Sequence, residues 1–137
     1  MYEPLTAFIP KIGESEYGEW IIDRVNDGTP EHPIQIPWVL YCETVQDLEK
    51  TIYQFVDEHE ELRLRQYDEI LEKSGIKWDM NSMSNAEVSK LDGSTVMALL
   101  LGAIRAERFC DGVLLNFCKS GCVYRWLSRL KEIDDGM

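Results

Sequence analysis

The sequence predicts a mainly α domain (α+β), with five or six helices around one buried central helix and a small N-terminal β-hairpin. Three observations predict it. Val45, Leu48, Ile52, Phe55 and Val56 recur at the three- and four-residue spacing of an amphipathic helix. A second stretch, Asp92 to Gly112, is apolar nearly all round, as a helix buried on every side must be. Before residue 43, short aromatic and β-branched runs alternate with proline and glycine, which suits strands and turns. The 137 residues form one expected globular domain, with hairpin and loops over 1–43 and a helical core over 44–133.

Residues 1–16 read as an irregular lead, with Phe8 and Ile9 as anchors before Pro10. Tyr17 to Ile22 is a short strand. Asp23 to Pro33 is a loop punctuated by Asn26-Asp27-Gly28 and two prolines. Ile34 to Tyr41 is a second strand, split or pushed to an edge by Pro37. Thr44 to Glu58 is a helix opened by Thr44 and Asp47 as a variant capping box. Leu62 to Ser74 follows as a helix with Leu64, Tyr67, Ile70 and Leu71 inward. Gly75 stops it, and Ile76 packs back on its last turn. Lys77 to Met83 is a loop carrying Trp78 and Asp79. Ser84 and Glu87 form a capping box for a short helix to about Leu91.

The central helix is expected over Thr95 to Cys110, with Ser94 as N-cap and Gly112 as its C-terminal stop. Val96, Leu100 and Ile104 share one side. Ala98, Gly102 and Ala106 line the opposite side as a groove that another backbone or a ligand can approach. Gly112 to Lys119 is a short helix, Ser120-Gly121 a turn, and Cys122 to Ile133 the last helix. Its inward residues are Val123, Trp126, Leu127 and Leu130.

Composition narrows the function classes. Net charge is −11 from 25 acids and 14 bases, which argues against nucleic acid and anionic membranes as partners. The charge is uneven: residues 1–92 hold 20 acids and 8 bases, residues 93–137 only 5 acids and 6 bases. No stretch is long and apolar enough to span a bilayer, and no secretory signal opens the chain. A cytoplasmic protein with reduced thiols is the expectation.

Cys42, Cys110, Cys118 and Cys122 lack a CxxC pair, and His32 and His59 are remote from them, so neither zinc nor any other metal or cofactor is expected. The cysteines read as small buried hydrophobes. His32, in a proline-bracketed loop, and His59, in the acidic DEHEE run, read as solvated or loop-stabilising residues. That run lacks the spacing of a calcium loop, and the glycines match no phosphate-binding motif. The helix–Ser-Gly–helix form of residues 112–133 invites a DNA-binding reading, but the second helix opens with Cys122, Val123 and Tyr124.

The segment GAIRAERFCDG, followed by KSGCVYRWLSRLKEID and joined by YGEW, NDGTPEHPIQIP and SNAEVSKLD, resembles a group of bacterial proteins catalogued only as a domain of unknown function. The resemblance covers nearly the whole chain. It implies a stand-alone bacterial cytosolic protein and assigns no catalytic residue.

Chemistry concentrates at the end of the central helix. Glu107 and Asp111 continue the face of Leu100 and Ile104, while Arg105 and Arg108 lie beyond Leu101. The plainer reading is a structural ion-pair network that orients the next helix, with Arg108–Asp111 a local pair and Arg125 an outside donor to Glu107. The sharper reading is a ligand pocket using Arg105, Glu107, Arg108, Asp111 and Trp78. Two functions follow: an interaction or regulatory module with a protein partner or a second copy, or a small-ligand-binding protein or enzyme. An exposed apolar patch favours the first. A cleft beside the charged cluster, lined by Trp or Tyr, favours the second.

Overall fold

A computed structural model of the chain describes residues 1–14, 17–21, 28–31 and 38–136. It is mainly helical, with one two-stranded hairpin near the N-terminus. His32, Ile22, residues 34–37 of the second expected strand and most of the intervening loop lie outside the described residues.

The lead is helical rather than irregular: α1 spans Glu3–Thr6 and α2 spans Ile9–Glu14. Pro4 and Pro10 sit in first turns, where no intrahelical N–H is needed. Tyr2, Leu5 and Ile12 are the buried anchors, and Phe8 and Ile9 pack only partly. Segments of four and six residues are too short to display a helical period, which hides them from pattern reading. Strand β1 (Gly18–Ile21) pairs antiparallel with β2 (Trp38–Tyr41), with Gly18 opposite Tyr41 and Ile21 opposite Trp38.

Helix α3 (Glu43–Glu58) buries the five residues of its expected stripe, Val45, Leu48, Ile52, Phe55 and Val56. Its N-cap is Cys42, whose side chain makes no capping bond, so the Thr44 box does not form. The next segment is not one helix. Two 3-10 turns, Glu60–Leu62 and Leu64–Gln66, flank left-handed Arg63 and lead into α4 (Tyr67–Lys73). Gly75 does stop α4, and Ile76 donates its N–H back to the Leu71 carbonyl at 2.9 Å. Helix α5 is Met80–Ser84, begun by Asp79 accepting from the Ser82 N–H at 2.7 Å. The Ser84 capping box gives way to that earlier cap, and only a 3-10 turn, Val88–Lys90, follows.

The central helix α6 is Gly93–Ala106, shifted toward the N-terminus from its expected bounds. Asp92, not Ser94, is its cap, and accepts the Thr95 N–H at 2.9 Å. Helix α7 is Val113–Lys119 and α8 is Cys122–Asp134. Helices α3, α4, α7 and α8 pack around α6, and the chain from Thr95 to Ile104 is buried throughout. No other element among the described residues is surrounded this way, so α6 is the axis of the core. No helix among the described residues is long and apolar enough to cross a membrane.

The small-residue side of α6 is occupied by side chains. A Cβ on Gly102 would sit 3.3 Å from Met83 Cε and from Trp78 Cδ1. Trp78 lies there because its indole Nε1–H donates to the Gly102 carbonyl at 2.9 Å.

Candidate functional site

Because α6 ends at Ala106, residues 107–112 form a turn that throws the charged residues in separate directions. Glu107 turns inward, and is a cap. Its carboxylate accepts the Gly112 N–H at 3.0 Å and the Leu114 N–H at 3.0 Å. These are donors that the first turn of α7 leaves unpaired. Gly112 precedes α7 at φ 93°, and a Cβ there would fall 2.4 Å from the Trp20 ring, so this turn requires glycine twice over.

Tyr41 completes the cap from the hairpin. Its hydroxyl hydrogen-bonds the Glu107 carboxylate and accepts the Leu115 N–H at 3.0 Å. Burial, then the bond to Glu107, pushes the phenol well above its ordinary pKa. The expected ion-pair network is therefore replaced by neutral donors. Arg125 does not reach Glu107; it donates to the Ser84 carbonyl at 2.9 Å and to Cys122 Sγ at 3.2 Å. Glu49 stands close by on α3. Burial, and secondarily the charge of Glu107, raises its pKa, while Arg108 pulls the other way. Arg108 and Asp111 are exposed, and the ion pairs of the described residues do not join them.

Arg105 leaves the helix on the other flank and faces a cavity of about 370 Å³ that it lines with Leu101, Tyr53, Tyr67, Arg65 and Asp57. Its guanidinium lies beside the Tyr53 and Tyr67 hydroxyls, which raise its pKa further. The Tyr53 oxygen is sealed from solvent and has no partner at hydrogen-bonding geometry. Arg65, in contrast, is paired with Asp57.

Trp78 belongs to a second cavity of about 290 Å³, lined mostly by apolar groups of Met80, Ala106, Phe109 and Val113. The Tyr67 ring of the first cavity meets Trp78 edge-on at 5.4 Å between centroids, and Trp78 meets Phe109 at 5.9 Å. Of the five residues singled out by sequence, the fold brings Arg105 and Trp78 to adjoining cavities and assigns the other three elsewhere. Sequence reasoning missed Tyr53, Asp57, Arg65 and Tyr67. One signal was available: Tyr53 and Asp57 are four apart on one flank of α3, as Leu101 and Arg105 are on α6.

The thiols are free. Cys118 and Cys122 are buried as expected, but Cys110 is exposed. Burial pushes the Cys118 thiol up to about 12. Burial opposes ionisation of Cys122 too, but Ser120, Ser84 and Arg125 outweigh it and hold that thiol below its ordinary value. His59 caps α3, its Nδ1 2.9 Å from the Phe55 carbonyl and its ring stacked on Phe55. Among the described residues no group of three or more His, Cys, Asp or Glu is placed to hold a metal ion.

Residues 2–136 match the profile of a family described as "Family of unknown function (DUF6508)". No curated protein matches the chain, and no solved structure does.

Proposed function

From the premise that the chain belongs to this family of unknown function, we propose that it binds a small organic anion in the Arg105 cavity. The observation that carries this reading is the imbalance of donors and acceptors there. Arginine only donates, and a tyrosine oxygen facing a guanidinium keeps its O–H for an acceptor. Asp57 supplies acceptors, and one of its oxygens is paired with Arg65. Among the described residues no carboxylate pairs with Arg105, so its guanidinium keeps N–H donors, and an ionised carboxylate or a phosphate is all acceptor. The cavity volume of about 370 Å³ falls in the range of small-molecule sites. Its wall of α3, α4 and α6 also supplies tyrosine, which gives an organic body flat surface at little entropic cost.

The test is a titration of the purified protein with benzoate, phenyl phosphate and decanoate, followed by calorimetry and by NMR of the tyrosine rings. Binding of at least one compound is expected, with loss in Arg105→Met and weakening in Tyr53→Phe. If no compound moves the Tyr53 or Tyr67 resonances at millimolar concentration, the reading is wrong.

A second reading, a protein-interaction module, is favoured by Phe109, which is 79% exposed beside Trp78 and Met80. Sedimentation showing a dimer that Phe109→Gln dissociates would favour it.

A further inference from the structure

We propose that the anion held at Arg105 is the head of an amphiphile, a monocarboxylate whose uncharged chain or ring crosses the Tyr67–Trp78 ring pair and lies in the Trp78–Phe109 cavity. The inference rests on the anion-binding reading above and goes further by assigning the rest of the ligand.

Three observations carry it. The two cavities flank the last turns of one helix: Leu101 and Arg105 line the first, Ala106 the second. Their walls touch through aromatic rings, Tyr67 to Trp78 and Trp78 to Phe109, so a path of aromatic surface links the two. Trp78 is fixed in this path by its bond to the Gly102 carbonyl, so the crossing point is preformed.

The second observation is the chemistry of the far end. Phe109 presents most of its surface to solvent, and Met80 beside it is a flexible, polarisable side chain suited to irregular apolar shapes. A cluster of this kind on an acidic protein is a place where apolar ligand surface is sheltered from water. Among the described residues the charged group lining it is Asp79, whose carboxylate already caps α5. A negative group there would be repelled, so the ligand's charge belongs at Arg105 and its other end is neutral.

The third is the charge balance at the head. Arg65 is matched by Asp57, which leaves Arg105, among the described residues that line the cavity, as the cation without a carboxylate. A monoanion balances it, and the planar two-oxygen carboxylate fits the guanidinium fork. A phosphate dianion would have to draw Arg65 away from Asp57.

The experiment uses the full chain and three probes: acetate, decanoate below its micelle concentration, and decyltrimethylammonium. The readouts are calorimetric affinity and the Trp78 indole N–H resonance, assigned with Trp78→Phe. Decanoate is expected to bind at least tenfold more tightly than acetate and to move the Trp78 signal, and the cationic probe is expected to bind at least tenfold more weakly than decanoate. Arg105→Met and Phe109→Gln should each weaken decanoate at least fivefold, while acetate responds only to Arg105→Met. Met80→Gln serves as a second shelf variant should Phe109→Gln fail to fold. Equal affinity for acetate and decanoate, or decanoate binding indifferent to both shelf variants, overturns the amphiphile and leaves the anion site standing. Tighter binding of the cationic probe than of decanoate overturns both, as does the absence of binding by acetate and decanoate.

Discussion

Arg105 and Glu107 stand two residues apart at the end of the same helix, and their surroundings differ in kind. Glu107 is met by two backbone N–H groups and a tyrosine hydroxyl, and the space around it is filled. Arg105 stands beside two tyrosine hydroxyls, of which that of Tyr53 has no partner at hydrogen-bonding geometry, and the space around it is open. The difference separates structural polarity from binding polarity. A polar group whose valence is used up inside the chain holds the chain together. One with donors left over, beside a cavity, has valence for something that is not the chain.

The largest expected effect breaks the Glu107 side. Glu107→Ala strips the acceptor from Gly112 and Leu114 and leaves the Tyr41 hydroxyl half used. Losing a cap and stranding partly buried donors should cost about 2–3 kcal/mol of unfolding free energy. Glu107→Gln keeps one acceptor oxygen and should cost about half as much. Urea unfolding measures both, and an alanine variant within about 0.5 kcal/mol of the parent would mean the cap is idle.

Gly112→Ala is the next largest. The left-handed backbone costs a residue with a Cβ about 1–2 kcal/mol, and Trp20 must also move. The same melts, read against Trp20→Ala/Gly112→Ala, separate backbone strain from the ring contact: a double variant as unstable as Gly112→Ala alone assigns the whole cost to strain.

A smaller effect concerns pH. Glu49 has a raised folded-state pKa, from burial first and Glu107 second. A carboxyl raised in this way favours the fold while protonated. That contribution is present below the ordinary glutamate value near 4.5 and is lost as pH rises through the folded value. Glu49→Gln keeps the neutral form, so it should gain stability over the parent at pH 7 and lose that gain near pH 4. A Gln variant less stable at pH 7 would show that Arg108 outweighs burial.

The smallest effect on stability sharpens the other side. Arg105→Met should change unfolding free energy by no more than about 0.5 kcal/mol, because its neighbours gain little from it. Its effect belongs on ligand affinity. A large loss of stability without a ligand would move Arg105 into the same class as Glu107.

What was legible in the sequence follows the range of the physics. The α3 stripe and the inward face of α8 could be read residue by residue, since helices of sixteen and thirteen residues against a core show their period. The end of α6 could not. Glu107 continues the apolar face by angle, but the acceptors that α7 needs bend the chain at Ala106 instead. The caps at Asp92 and Asp79 each won over a neighbouring serine, a contest of similar side chains that spacing does not decide. Of the candidate site, Arg105 and Trp78 were legible as a charge and an aromatic near the core. Tyr53 and Arg65 were not, because only the packing of α3 and the 3-10 turns against α6 brings them there.

The Leu115 amide has an unusual guardian. Its hydrogen bond runs to a side chain 74 residues earlier, on a strand of the hairpin, and not to a carbonyl of its own helix. Most helical amides exchange with solvent deuterium when their own helix frays. This one should exchange when the hairpin lifts away, even while α7 stays wound. Its exchange rate, set against that of Lys119 at the far end of α7, is therefore a clock for the docking of strands β1 and β2 on the helical core.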